Sequence, residues 1–277
     1  MSLVSHFPAK CRESGFALLI VLWVLVLIAF IVAHLAGAGR TEIRIASNLV
    51  ANARAQAAAD GAIFAAIFNQ SDPSPGDRWP VDGRMRELIV GNSRVIVRLE
   101  NEAWWINPSS ASPALLEALL RVTGSDPQTA RRLANAISEW VGSVSVARSQ
   151  NQVFADYRGA GLEYGPPGAP LETLDELGRV IGMTPDVLAV IRPHLTLFGP
   201  PQSSTAGADP IVAAALAQVG QAVAVPLAAE PPPDVDTTRI TANALGLGNG
   251  HSTRRAVVRF GAALPRGYEV LAWDDGS

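Results

Sequence analysis

The sequence predicts an α+β fold: a long N-terminal transmembrane α-helix packed on an antiparallel sheet, with an inserted α-helical domain interrupting that sheet. Three observations predict it. An uncharged apolar run extends from Phe16 to Ala33. Period-two alternation marks two separate stretches, one within residues 86–100 and one within 255–273. Between them the pattern changes to a series of helix caps.

The run FALLIVLWVLVLIAFIVA covers 18 residues, near the ~20 that a spanning helix needs. Before it, Met1 to Gly15 carries Lys10 and Arg12 against Glu13. By the positive-inside rule this leader stays in the cytoplasm, and everything after the span faces outward. An ordinary secretory signal has a shorter apolar region with a small-residue cleavage site after it. Here Gly15 lies before the run, and Phe16 opens it.

From Arg40 to Asn69 no proline or turn cluster intervenes, so the helix continues past the span, with Gly37 and Gly39 as the expected bend. Ile45, Leu49, Ala53, Ala57, Phe64 and Phe68 recur at roughly helical spacing, with alanine filling the gaps, and the back half of this helix is expected to lie against the sheet. Ser71 to Gly76 is rich in turn formers and ends the helix. Arg86–Val90 and Ser93–Glu100 read as two strands about a Gly91-Asn92 turn. Ser112-Pro113 opens a helix to Leu120, and Asp126-Pro127 another to Trp140. Thr173 with Glu176 forms a capping box, and Thr184-Pro185 opens the next helix. Strands return at Arg255–Phe260 and Tyr268–Trp273. The segment 200–250 yields only one helix, from Asp209-Pro210, and loops, with Gly246 to Gly250 as a hairpin loop. The domain boundaries expected are 1–15 (leader), 16–70 (long helix, 16–33 spanning), 71–101 (first sheet part), 102–198 (helical insertion) and 199–277 (second sheet part).

Composition excludes several function classes. Net charge is −3, so no basic excess favours nucleic acid. Cys11 is the single cysteine, so disulfides cannot staple the fold. His6, His34, His194 and His251 are scattered, no Cys/His set has metal-ligand spacing, and no Gly-x-Ser-x-Gly occurs. These features argue against an enzyme. Leu174 to Leu197 has the helix–turn–helix outline of a phosphate-holding hairpin, but its acids Glu172, Asp175, Glu176 and Asp186 outnumber Arg179 and Arg192. A packing hairpin with Leu174, Leu177, Ile181 and Leu188 inward accounts for it better.

Residues 13–28, ESGFALLIVLWVLVLI, resemble the start of general secretion pathway protein K, the large minor pseudopilin of type II secretion, which has a pilin-like fold. Most pilin-like proteins carry glutamate at the fifth residue after the cut; Ile20 stands here, as in K subunits. WINPSSASPALLEALL from Trp105, LDELGRVIGMTPDVLAVIRPHLTL from Leu174, and the closing stretches Val257–Arg259 and Tyr268–Trp273 resemble further parts of that family. The resemblance implies cleavage after Gly15 by a prepilin peptidase and N-methylation of Phe16. It also implies a single-pass inner-membrane precursor with its bulk in the periplasm, which matures to cap the pseudopilus tip. Implied partners are the minor pseudopilins I and J, the major pseudopilin, and the secretin or an exported substrate. A minor pilin of a type IV pilus and a membrane-anchored DNA-uptake protein are the competing readings. The family's calcium loop is missing its acids: none lies between Trp140 and Asp156, while Arg148 adds positive charge. Calcium wants six to eight oxygens. Only Glu139, Asp156 and Glu163 offer carboxylates nearby, and no cofactor is expected.

Overall fold

The computed structural model describes residues 14–72, 74–142, 150–222, 236–246, 248 and 250–276. Helix α1 runs from Ser14 to Gln70, 57 residues, or ~85 Å at ~1.5 Å per residue. It passes through Gly37 and Gly39 without interruption. Its end is locked by Asn69. The Asn69 amide donates to the Asp77 carbonyl (3.0 Å), and its Oδ1 accepts from the Trp79 N–H (2.7 Å).

Five strands follow: β1 (Met85–Val90), β2 (Ser93–Asn101), β3 (Asp236–Leu245), β4 (His251–Phe260) and β5 (Tyr268–Asp275). They form one antiparallel sheet in the order β1-β2-β3-β4-β5. Gly91, at φ 59°, supplies the left-handed residue of the β1–β2 turn. A bulge between Val257 and Val258 irregularises the β4–β5 pairing. The strand β3 corrects the expectation of only helix and loop over 200–250, and it is the central strand of the sheet. Its alternation, Ile240, Ala242 and Ala244 inward against Arg239, Thr241 and Asn243 outward, uses alanine where a strand pattern usually shows valine or isoleucine.

Period-two alternation puts Val95, Val97 and Leu99 of β2, Ile240, Ala242 and Ala244 of β3, and Ala256 and Val258 of β4 on one face. Against it α1 lays Ala55, Ala58, Ala59, Ala62, Ile63, Ala66 and Ile67. Ile45, Leu49, Ala53, Ala57, Phe64 and Phe68 are exposed, although the Phe64 ring lies 5.1 Å from that of Trp273 on β5. Small side chains dominate the buried face, because alanine lets a helix backbone approach the sheet more closely than phenylalanine could. At the β3–β4 turn the approach is close enough that a Cβ on Gly250 would collide with the Ala51 carbonyl. Asp60 pins the arrangement, its Oδ1 accepting from Arg254 Nε (2.9 Å) and Trp273 Nε1 (3.3 Å). Asp60 is the main cause that raises the Arg254 pKa, with Asp275, also bonded to that guanidinium, adding to it.

Between β2 and β3 the chain builds a second core from α2 (Pro113–Val122), α3 (Pro127–Trp140), α4 (Gln150–Gly159), α5 (Pro185–Ile191) and α6 (Pro210–Ala222). Ser112, Asp126, Thr184 and Asp209 each accept hydrogen bonds from first-turn amides of a helix beginning with proline. The capping box at Thr173 forms, with Glu176 accepting from the Thr173 amide at 2.8 Å, but the turn it caps, Leu174–Arg179, is 3-10 rather than α. Leu177 is fully buried, with Leu174, Ile181 and Leu188 packed around the same core. Helix α6 joins this core through Val212, Ala215 and Leu216, so helical packing extends beyond residue 198. Helix α4 was not expected from the sequence. It packs by Val153 and Tyr157, and the Tyr157 hydroxyl accepts from the Ile181 N–H at 3.1 Å.

Candidate functional site

Two places in this fold have the character of functional sites: the free half of α1 and the neck where the helical core joins the sheet. In the first, Gly15 and Phe16 lie in the opening turn of α1, and residues 1–13 fall outside the described residues. Phe16–His34 is, among the described residues, the one helical stretch long and apolar enough to cross a membrane, and none of it is buried. Phe30 and His34 stack with ring centroids 6.3 Å apart near its end.

Ile20 lies in this exposed stretch, 48 % accessible. After Phe16 the first carboxylate in the sequence is Glu42, ~39 Å further along a helix. An amine at Phe16 therefore has no carboxylate of its own helix within reach. The apolar surface does not stop at the span. Ile45, Leu49, Val50, Phe64 and Phe68 continue it as exposed side chains of α1, with Phe64 also against the Trp273 ring.

The neck is built around Glu102, which is fully buried directly after β2. Its Oε1 accepts from Arg239 Nε at 2.8 Å and its Oε2 from Arg239 Nη2 at 3.2 Å, a two-pronged pair from the central strand. The Thr196 hydroxyl donates to the same Oε2. The Arg239 guanidinium in turn lies 3.8 Å over the Trp105 ring. Around this pair the outgoing and returning chains clasp: the Ile106 N–H donates to the His194 carbonyl (3.0 Å), and the Thr196 N–H to the Ile106 carbonyl (2.9 Å). Asn107 Nδ2 reaches the carbonyls of Leu197 (3.2 Å) and Gly199 (2.9 Å). Gly199 has to be glycine here, since a Cβ would sit 2.9 Å from the Glu102 carbonyl oxygen. His194 Nδ1 lies 2.7 Å from Asp209 Oδ2, tying the returning chain to the start of α6. The sequence reading missed Glu102 and Arg239. The first lay unremarked between a strand and an aromatic pair, and the second in the unassigned segment.

The three candidate calcium ligands are not brought together. Glu139 lies on α3, Asp156 on α4 and Glu163 in the loop that follows. Among the described residues no group of three or more His, Cys, Asp or Glu side chains is placed to hold a metal ion. Of the acid-poor stretch after Trp140, residues 143–149 lie outside the described residues, and from Gln150 it is helix. An aromatic cluster occupies that end of the helical core instead, with Trp140, Tyr157 and Tyr164 at centroid distances of 6.0–6.3 Å. Burial pushes the Tyr157 phenol pKa up.

Residues 95–200, from β2 through the helical core to the end of the neck, match the family model of type II secretion system protein K. No curated protein sequence matches the chain. Among solved structures, the chain is similar to one from the GspK-GspI-GspJ complex of the enterotoxigenic Escherichia coli type 2 secretion system. The TM-score is 0.52 at 16 % identity, covering 86 % of this chain and 99 % of that one. At that identity the likeness establishes the shared fold, sheet and inserted helices included.

Proposed function

We propose that this chain is a member of the protein K family of the type II secretion system, a reading supported by the family model over residues 95–200 and by the shared fold, and that it is a non-enzymatic minor pseudopilin which caps or initiates the pseudopilus. One observation carries the reading. A family-matching helical unit is held at one end of a pilin-like sheet, while the helix beneath that sheet leaves a bilayer-length apolar half uncovered.

On this reading a prepilin peptidase cuts after Gly15, and the new amine on Phe16 is methylated. The precursor is a single-pass inner-membrane protein with its sheet and helical unit in the periplasm. The uncovered half of α1 then moves from lipid into a bundle of similar helices, where apolar side chains find equivalent surroundings. An ordinary pilin brings a glutamate into that bundle to meet a neighbour's amine. A carboxylate in mid-membrane costs ~2.5–3.5 kcal/mol on insertion scales. A subunit with none ahead of it has no amine to pair, and Ile20 avoids that cost. The neighbouring structure is of a complex with GspI and GspJ, and the proposed partners of this chain are the corresponding minor pseudopilins. The major pseudopilin follows below, and the secretin or an exported substrate lies ahead.

N-terminal mass analysis of the protein from a strain with active prepilin peptidase tests the maturation step: methylated Phe16 as first residue is expected, and an intact Met1 leader overturns it. The tip role is tested separately by Ile20→Glu, which is expected to depress export strongly. Unchanged export with that variant, in cells where Phe16 is still matured, removes the tip role while leaving the pilin-like maturation standing.

A further inference from the structure

The sheet face turned away from α1 carries a groove of 290 Å³, lined in part by Arg98, Arg239, Arg255, Glu100, Thr241 and Asn243. Its three arginines are unequally engaged. Arg239 is committed to Glu102 and Trp105. Arg98 comes no closer than 3.7 Å to Glu100, beyond hydrogen-bond length. Arg255 makes no ion pair among the described residues, and its Nε is enclosed without an acceptor. Asp274 stands opposite Arg255 in the β4–β5 register, yet it points a largely exposed side chain and closes no ion pair with it.

Register fixes the spacing. Arg98 pairs with Thr241, and Thr241 with Arg255, so the three lie in one row across β2, β3 and β4. At ~4.8 Å per strand Arg98 and Arg255 are ~10 Å apart at their Cα atoms, the reach of about three extended residues. Between them Thr241 offers a hydroxyl. Asn243, whose Oδ1 accepts from the Thr253 hydroxyl at 2.7 Å, keeps its amide N–H groups to donate. Donors therefore dominate the groove. An enclosed donor of a charged group is unfavourable until an acceptor reaches it, and the planar guanidinium fork matches a carboxylate. Two cations at that separation suit carboxylates spaced along one chain better than they suit a single small anion.

We infer that this groove binds an acidic segment of a partner protein, lying across the strands with one carboxylate on Arg255 and another on Arg98. The inference stands on the groove alone and does not depend on a place at the pseudopilus tip. It is tested with the full chain in nonionic detergent and a fluorescent hexaglutamate peptide, by anisotropy. Binding is expected, weakening as salt is raised. Arg98→Gln and Arg255→Gln are each expected to lower affinity roughly tenfold, with Arg255→Lys intermediate because it keeps the charge and loses the fork. Glu100→Gln is expected to tighten it. Hexalysine should not bind. Absence of hexaglutamate binding overturns the inference, as does equal binding by an Arg98→Gln, Arg255→Gln double variant whose far-UV circular dichroism matches the parent. Inorganic phosphate displacing the peptide at matched concentration also overturns it, since the groove would then be a free-anion site.

Discussion

The two cores of this protein are packed by opposite means. Under the sheet, five of the seven core residues from α1 are alanine, facing alanine again at positions 242, 244 and 256. In the helical unit the contacts come from large side chains, Leu119, Leu120, Leu133, Ile137, Trp140, Tyr157 and Ile191 among them. The alanine interface gains its energy from close backbone approach, while bulky residues of α1 such as Ile45, Leu49 and Phe68 stay exposed. The leucine-rich core uses volume and keeps little apolar surface for anyone else. One helix can therefore serve a sheet and a neighbouring subunit at once, while the helical unit is complete in itself and is attached by a neck.

That neck is where the comparison breaks most sharply. Arg239→Ala leaves Glu102 buried with no cationic partner, and breaking a buried pair in this way costs about 3–5 kcal/mol. Because Glu102 belongs to the junction rather than to either core, the expected result is uncoupling. Thermal unfolding of the full chain in detergent should change from one transition to two, with the Trp104 and Trp105 environment lost in the first. A single transition at the parent temperature would show that the cores are joined by something other than this pair.

Within the helical unit Leu133 is 2 % exposed, and Leu133→Ala should cost about 2–5 kcal/mol, the transfer of its side chain plus the void left behind. Under the sheet the sensitive direction reverses. Ala62 is fully buried against β-strand side chains, and Ala62→Leu should cost roughly 1–3 kcal/mol by overpacking, most visibly as loss of protection in β2–β4 by hydrogen exchange. Equal tolerance of enlargement in both cores would erase the distinction between them.

The same contrast explains what could be read from the sequence. Helices α2, α3, α5 and α6 were legible because each starts with a capping residue followed by proline, a signal that tertiary packing rarely overrides. The long apolar start of α1 was legible from the length of its uncharged run. The packing face of α1 was not legible in the sequence, because alanine is apolar enough for a core but does not stand out beside Ile45, Leu49, Phe64 and Phe68. For the same reason β3 disappeared: Ala242 and Ala244 do not look like a strand face until the helix that needs them small is in place. Helix α4 has no strong apolar period, and no proline opens it. The neck pair Glu102–Arg239 spans 137 positions, and no local pattern announces a contact of that range.

The smallest effect concerns a single cap of the self-contained core. Asp126 Oδ1 accepts from the Gln128 N–H (3.1 Å) and the Thr129 N–H (3.0 Å) at the start of α3. Its pKa is lowered from 3.8 chiefly by the Thr129 side chain and then by these amides. Asp126→Ala should lower stability at neutral pH by removing this cap, less than any of the changes above. Because the folded state holds the carboxyl below its unfolded value, the charge-dependent part is present above about pH 4 and lost as pH falls through the lower folded value. The gap between parent and Asp126→Ala should narrow on that acid limb, while the gap for Ala62→Leu, which involves no titrating group, stays constant. If both gaps narrow together, acid is loosening the sheet core, and the separation of the two cores is weaker than their packing indicates.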